Sequence, residues 1–383
     1  MKKLLCLLLA VATIFACSIN AFASENVTDS GTVATTELEQ ALIDEVCLQV
    51  VESYAEYYTI PQISGIVREI ESVNGGWNYI IDVSFTKILL ADDASDLPYI
   101  QGMTDAVATI EDATLKAEAQ KALDTRIAEL NTLYIGAEQS ENSSFKVFVP
   151  GTSTRMSTSD YSVTFVSDFG EMPMAAFTPK TQDELYQEGV ESLSLSSFVS
   201  TENAASTVSV NKTNPSSATD YDRLKAKAYV EKYSCGNCGM SSHSCANASY
   251  NFYASNDCAN FVSQAICYAG IDTESNWKPY TTTWINTGWR DDYYGLVEYM
   301  VDQGFFFETT NKYKAFAGSI IYWNQYSHVG MVNANDTVTM TFCAHTNDRN
   351  SSSFKNWTGS TEETDVKFFV PVWDSYAGAY TTQ

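Results

Sequence analysis

The sequence predicts an α+β protein in two parts, and three observations lead there. Residues 36–57 and 99–134 carry apolar side chains at helical spacing. Between them Asn74-Gly75 joins two apolar runs as a hairpin signal. Near the C-terminus a short apolar helix after Cys258 is followed by three strand-like runs between Gly318 and His345. Blocks of helices and blocks of strands, without regular alternation, indicate an antiparallel sheet packed against helices.

The 383 residues carry a formal net charge of −25, with 22 Lys and Arg against 47 Asp and Glu. Such a balance opposes a nucleic-acid backbone or an anionic lipid surface, both of which need clustered cations. The first 23 residues have the pattern of a signal peptide. Lys2 and Lys3 precede an apolar run from Leu4 to Phe15, and Ala21-Phe22-Ala23 gives a small-x-small cleavage site. Lipid attachment at Cys17 fits less well, because Phe15 is bulky for that recognition site. No later run has the length and apolarity of a membrane span. The mature chain is therefore expected outside the membrane, secreted or associated with the cell wall, and without an integral membrane segment.

The divisions expected are a flexible lead at 24–35, an N-terminal α+β domain at 36–190, a Ser/Thr-rich linker at 191–217 and a C-terminal domain at 218–376. Thr36 with Glu39 reads as a capping box, followed by the stripe Leu38, Leu42, Val46, Val50 and Tyr54. Strands are expected at 63–70 and 77–90, a long helix or helical hairpin at 99–134, and strands at 145–149 and 161–166. This half has no histidine and no chemical constellation, so its role stays unassigned.

The C-terminal domain opens with an amphipathic helix at 221–233. Asn256 and Asp257 are good helix caps, and Phe261, Val262, Ala265, Ile266 and Ala269 form one apolar face, so Cys258 falls in the first turn of a buried helix. A helix start favours a thiolate, and the same unpaired N–H groups suit an oxyanion. Cys258 is therefore the candidate nucleophile, and its backbone N–H with Asn256 the candidate oxyanion site. The alternative is a buried hydrophobe or half of a disulfide. The chain's three histidines, His243, His328 and His345, all lie in this part. His328 begins one strand, and 333–336 read as a turn into the next. For a hairpin loop of two or four residues, His328 faces an odd-numbered partner, so His328 and His345 share a face. His328 is the candidate base and His345 the candidate orienting group, with Asn347 and Asp348 as rivals.

Seven cysteines remain after signal removal, an odd number that leaves at least one unpaired within the chain. Cys235, Cys238, His243 and Cys245 have a spacing that suits either a structural zinc ion or disulfides.

The segment Asp257-Cys258-Ala259-Asn260-Phe261-Val262-Ser263-Gln264 resembles the nucleophile helix of the bacterial putative amidase family, within the papain-like superfamily of NlpC-type peptidases and CHAP amidases. Ser327-His328-Val329-Gly330-Met331-Val332 and Ala344-His345-Thr346-Asn347-Asp348 resemble its closing strands. The resemblance covers roughly 218–350. It implies a nucleophile helix packed on an antiparallel sheet, Cys258 as nucleophile, His328 as base, His345 or a neighbour as orienter, and no required cofactor. It also implies peptidoglycan or its peptides as substrate. Relatives carry Gly-Asp before the strand that precedes the histidine, where this chain has Gly318-Ser319.

Overall fold

Thr36 opens the first helix as its spacing to Glu39 predicts. Its Oγ1 accepts the Glu39 N–H at 3.2 Å and the Glu39 carboxylate accepts the Thr36 N–H at 2.8 Å. The helix, α1 (Glu37–Tyr54), buries Leu42, Ile43, Val46, Val50 and Tyr54. The structure is a computed structural model that describes residues 36–151, 161–167, 170–193, 221–236, 245–254, 256–289, 294–346, 348–355 and 366–371. The expected signal peptide, the lead and nearly all of the linker lie outside the described residues, as do Cys238, His243 and Asn347.

Strands β1 (Tyr58–Val73) and β2 (Gly76–Leu89) pair antiparallel around Asn74-Gly75, with Gly75 at φ +90°. That left-handed backbone is why a glycine ends the turn. The helical stretch after them is two helices, α2 (Pro98–Thr109) and α3 (Ala113–Leu133). The chain is extended at Ile110, and Asp112 restarts the helix by accepting the N–H groups of Thr114 and Leu115. Strand β3 (Gln139–Pro150) alternates buried and half-buried residues along its length, the period-two signature of a sheet with one face in the core. Strands β4 (Ser162–Ser167) and β5 (Gly170–Pro173), a turn of helix α4 (Met174–Phe177) and helix α5 (Gln182–Ser192) complete this half. Helix α5 crosses α2 at Gly102 and Gly189, where a Cβ on either glycine would collide with a main-chain carbonyl of the other helix.

The C-terminal half supplies helices α6 (Arg223–Tyr233), α7 (Cys258–Tyr268), α8 (Thr282–Ile285) and α9 (Leu296–Asp302). Its strands are β6 (Phe306–Thr309), β7 (Ile320–Trp323), β8 (His328–Asn335), β9 (Met340–Ala344), β10 (Arg349–Phe354) and β11 (Val366–Pro371). The molecule is α+β, with a large mixed sheet. Strands of both halves join in the order β1-β2-β3-β10-β9-β8-β7-β11-β6, with β4 and β5 beyond β3. The two halves meet where β10 runs parallel to β3, pairing Ser352 with Asn142.

Buried polar groups reinforce that seam. Glu129 of α3 holds Arg126 at 2.7 Å and Arg223 of α6 at 3.0 Å, and all three side chains are fully buried. Both guanidinium groups also lie over the Phe316 ring, at 4.8 and 4.9 Å. Tyr58 donates to Asp336 at 2.8 Å, Gln139 donates to the same carboxylate at 3.0 Å, and Lys87 bridges Glu141 and Thr339. Buried charges persist only when paired in this way. No described helix is long and apolar enough to cross a membrane.

Candidate active site

Helix α7 packs across β8, and its first residue is Cys258. The side chains of the motif that follows are anchored one by one. Asn260 Nδ2 donates to Asp257 Oδ1 at 2.7 Å and to the Asn251 carbonyl at 2.9 Å, while Asn260 Oδ1 accepts from Trp284 Nε1 at 2.8 Å. Ser263 donates to the Trp284 carbonyl at 2.9 Å, and Gln264 accepts from Tyr229 Oη at 2.7 Å. Phe261, Val262, Ala265 and Ile266 bury the apolar face. These polar residues therefore fix the helix to its surroundings, and Cys258 stands apart from that framework.

Cys258 is 1% exposed. Burial raises its thiol above the ordinary value, and the charge of Asp257 adds to the rise. Hydrogen bonds from the main-chain N–H groups of Val329 and Ala259 oppose it. The thiol also lies 3.8 Å from Oδ1 of Asn256, the solvent-exposed residue two positions before the helix. The resting group is thus a thiol, already aimed at donors that favour its anion.

Asp257 does not cap α7 with its side chain. Its carboxylate faces His345 instead: Asp257 Oδ2 is 2.6 Å from His345 Nδ1, and the Tyr233 carbonyl is 2.7 Å from His345 Nε2. Each ring nitrogen thus faces an oxygen, and the ring is held at both ends. The ring also stacks on Phe261, with centroids 3.8 Å apart and planes 14° from parallel. Thr346 closes the arrangement from a left-handed backbone, φ +82°, where its Oγ1 accepts the Asp257 N–H at 2.9 Å. His345 and Thr346 together grip the residue directly before Cys258.

His328 begins β8 opposite Trp323, and the two rings lie 5.3 Å apart. The register explains their side of the sheet. Asn335 pairs with Met340 and Ala334 with Thr341, but Val332 pairs with Phe342 and Met331 with Cys343, so the ladder slips by one residue at Asn333. Such a bulge exchanges the faces of every residue beyond it. Val329, Met331 and Cys343 pack with Cys258, whereas Trp323, Val332 and Phe342 form a separate cluster on the other face. The expected odd-numbered partner of His328 is therefore not found. His328 lies with Trp323, and His345 lies with Asp257. The bulge is stabilised by Asn333, which donates to Ser351 Oγ at 2.9 Å and Glu231 Oε1 at 3.0 Å and accepts from Thr341 at 2.8 Å.

Other expected site residues take these positions. Asp348 is buried before β10, and its charge helps raise the Cys245 thiol. Cys343 is fully buried and its thiol is pushed up to about 11, chiefly by burial. Cys235 is in a disulfide, and the unbridged Cys245 has its sulfur 3.0 Å from that of Cys235. A disulfide sulfur is not a thiolate ligand; Cys238 and His243 lie outside the described residues. Sequence reasoning missed the Asp257–His345–Thr346 grip and the Val329 amide. The one available signal was the acid immediately before Cys258, which reads equally well as a cap.

The C-terminal half was also compared with known families. Residues 220–369 match the model of the putative amidase domain. The matched segment runs from just before α6 to β11 and contains Cys258, His328 and His345. A stretch of 68 residues is 37% identical to the uncharacterized protein YjcM of Bacillus subtilis (strain 168) and spans 18% of this chain and 14% of that protein's length. No solved structure matches the chain.

Proposed function

We propose that the C-terminal half is a papain-like cysteine hydrolase that cleaves amide bonds, with Cys258 as nucleophile and His328 as general base. The observation that carries this reading is the seat of the Cys258 thiol, at the first residue of α7 and hydrogen-bonded by the N–H groups of Ala259 and Val329. Val329 directly follows His328 in β8, so the strand whose N–H reaches the thiol also carries the imidazole; that ring rests beside Trp323, and the mechanism requires it to turn toward Cys258. The amidase-family match supports amide bonds as the target.

In this mechanism His328 takes the thiol proton, and the thiolate attacks the amide carbonyl carbon. Main-chain N–H groups at the start of α7, with Asn256 beside them, hold the oxyanion. The protonated imidazole then delivers its proton to the leaving amine as the C–N bond breaks, which leaves a thioester. Water, deprotonated by His328, hydrolyses the thioester and restores the thiol. Asp257, His345 and Thr346 position the helix start. The chemistry needs no cofactor. Peptidoglycan peptides are the proposed substrate, met after export directed by residues 1–23, with neither nucleic acid nor a membrane-spanning segment involved. Digestion of purified peptidoglycan by the wild type and by Cys258→Ala, with product masses read out, tests this. New amine and carboxyl termini only with the wild type are expected; identical fragments from both proteins exclude it for that substrate.

A second reading, a catalytically inactive wall-binding or interaction protein on the same framework, draws on the burial that raises the Cys258 thiol. It predicts wall binding by both proteins without release of fragments.

A further inference from the structure

Strained backbone gathers around the proposed site. Among the described residues, five other than glycine have a left-handed φ: Tyr280, Ser327, Thr337, Thr346 and Ser351. Ser327 immediately precedes His328, and Thr346 holds Asp257. Tyr280, at φ +76°, is the third residue of the turn Lys278-Pro279-Tyr280-Thr281, which the Thr281 N–H closes on the Lys278 carbonyl at 3.0 Å. A turn with proline second and a positive φ third favours glycine there, because a Cβ is strained in that conformation. Packing does not offset the strain, since Tyr280 is 65% exposed. An unfavourable backbone that presents an aromatic ring to solvent serves function rather than stability.

Asn260 places that ring. It lies in the first turn of α7, two residues after Cys258. Its Nδ2 donates to the Asn251 carbonyl at 2.9 Å, and its Oδ1 accepts from Trp284 Nε1 at 2.8 Å. Two segments are thereby tied to the helix start, 250–254 and the turn leading into α8. Tyr250 stacks on Trp284 between them, with centroids 6.1 Å apart and planes at 22°. The first segment carries Tyr253, which is half-buried. Its N–H donates to Asp257 Oδ1 at 3.0 Å, and its carbonyl accepts the Asn256 N–H at 3.0 Å. The second segment carries Tyr280. Burial, then the neighbouring Tyr280 and Asp257 groups, push the Tyr253 hydroxyl up. Two phenol rings thus stand beside the residues that lead into Cys258.

We propose that Tyr280, with Tyr253, is a substrate-positioning pair that holds a sugar ring next to the scissile amide. This rests on the hydrolase reading and names the part of the wall that the site grips. A phenol has an apolar face and a polar tip. A pyranose ring has apolar faces and a polar equator, so the two stack while their hydroxyl groups meet at the edges. The wall's stem peptides carry short aliphatic and acidic side chains with no comparable face, and a chain of net charge −25 does not attract the acidic ones.

The test is calorimetric titration of full-length Cys258→Ala protein with a disaccharide–peptide fragment of peptidoglycan and with the same peptide lacking its sugars. The disaccharide–peptide should bind roughly tenfold more tightly than the bare peptide. Adding Tyr280→Gly should weaken the disaccharide–peptide about fivefold and leave the bare peptide unaffected. Thermal unfolding of that variant should be unchanged or shifted upward, because glycine adopts φ +76° freely. Tyr280→Phe, which keeps the ring, should keep the affinity. A merely structural tyrosine would instead give a lower melting temperature at constant affinity. No binding of the disaccharide–peptide, an equal loss for both ligands, or an affinity that Tyr280→Gly does not change overturns the proposal. Digestion by the wild type judges hydrolysis separately: sugar binding through Tyr280 without release of fragments would exclude the hydrolase reading and leave the sugar contact standing.

Discussion

Two buried polar clusters in this molecule use the same physics for different ends. At the start of α7, Asp257, His345 and Thr346 form a compact grip around one residue, adjacent to the thiol. At the seam, Glu129, Arg126 and Arg223 tie α3 to α6 across the two halves of the chain. Burying such groups costs hydration that their mutual attraction offsets only when the geometry is good, so an apolar replacement would often be as stable. What the buried polar groups add is definition. The grip fixes where a helix begins, to within a hydrogen bond, and the seam fixes how two halves of a sheet sit on each other. The difference teaches that damage to the seam should appear as lost stability, and damage to the grip as lost activity.

The largest effect expected is at the seam. Glu129→Ala leaves two buried guanidinium groups without their carboxylate and should cost about 3–5 kcal/mol in unfolding free energy by urea titration. A loss below about 1 kcal/mol would mean that the seam is not what joins the halves. At the grip, Asp257→Ala should lower kcat about 100-fold with KM little changed, because a displaced helix start misaims the thiol. His345→Gln, which keeps an N–H donor for Asp257, should lower kcat less than Asp257→Ala does. A purely structural grip would instead lower the melting temperature in step with activity.

A smaller effect is expected where α2 and α5 cross. Gly189→Ala forces a methyl group against the Tyr99 carbonyl and should destabilise by about 1–3 kcal/mol without altering amide cleavage per folded molecule.

The smallest effect is in pH dependence. Burial alone would raise the Glu141 carboxyl, but the ammonium groups of Lys87 and Lys355 outweigh it and hold the carboxyl below its ordinary range. A depressed folded value means stability that is fully present above the unfolded carboxyl pKa, near 4.3, and is lost as pH falls through the folded value. Unfolding curves between pH 6 and pH 3 should therefore show a shallower acid limb in Glu141→Gln than in the wild type. Parallel limbs would contradict this assignment.

Much of the architecture was legible in the sequence because it rests on local rules. The Thr36–Glu39 box, the Asn74-Gly75 turn and the apolar face of α7 are each decided within a few residues. The first-turn position of Cys258 followed from the same reasoning. What stayed hidden depends on distant partners. The one-residue slip at Asn333 is held by Glu231 and Ser351, and no alternation pattern within β8 announces it. Asp257 reads as a cap until His345, 88 positions later, is brought against it. Composition at 191–217 suggested a boundary, yet a single β3–β10 pairing carries the sheet past it. The Gly102–Gly189 crossing was equally silent, since a glycine in a helix reads as a weakness until the second helix is in place.

The thiol of Cys258 is the centre of this account, and stoichiometric acylation addresses it directly. Wild type and Cys258→Ala would each be mixed with para-nitrophenyl acetate, quenched in acid, and the acetylated site located by peptide mass spectrometry. A single acetyl group on the peptide containing Cys258, released on standing as the thioester hydrolyses and absent from the variant, is the result expected. Acetylation spread equally over Cys47, Cys245 and Cys267, with Cys258 unmodified, would contradict it.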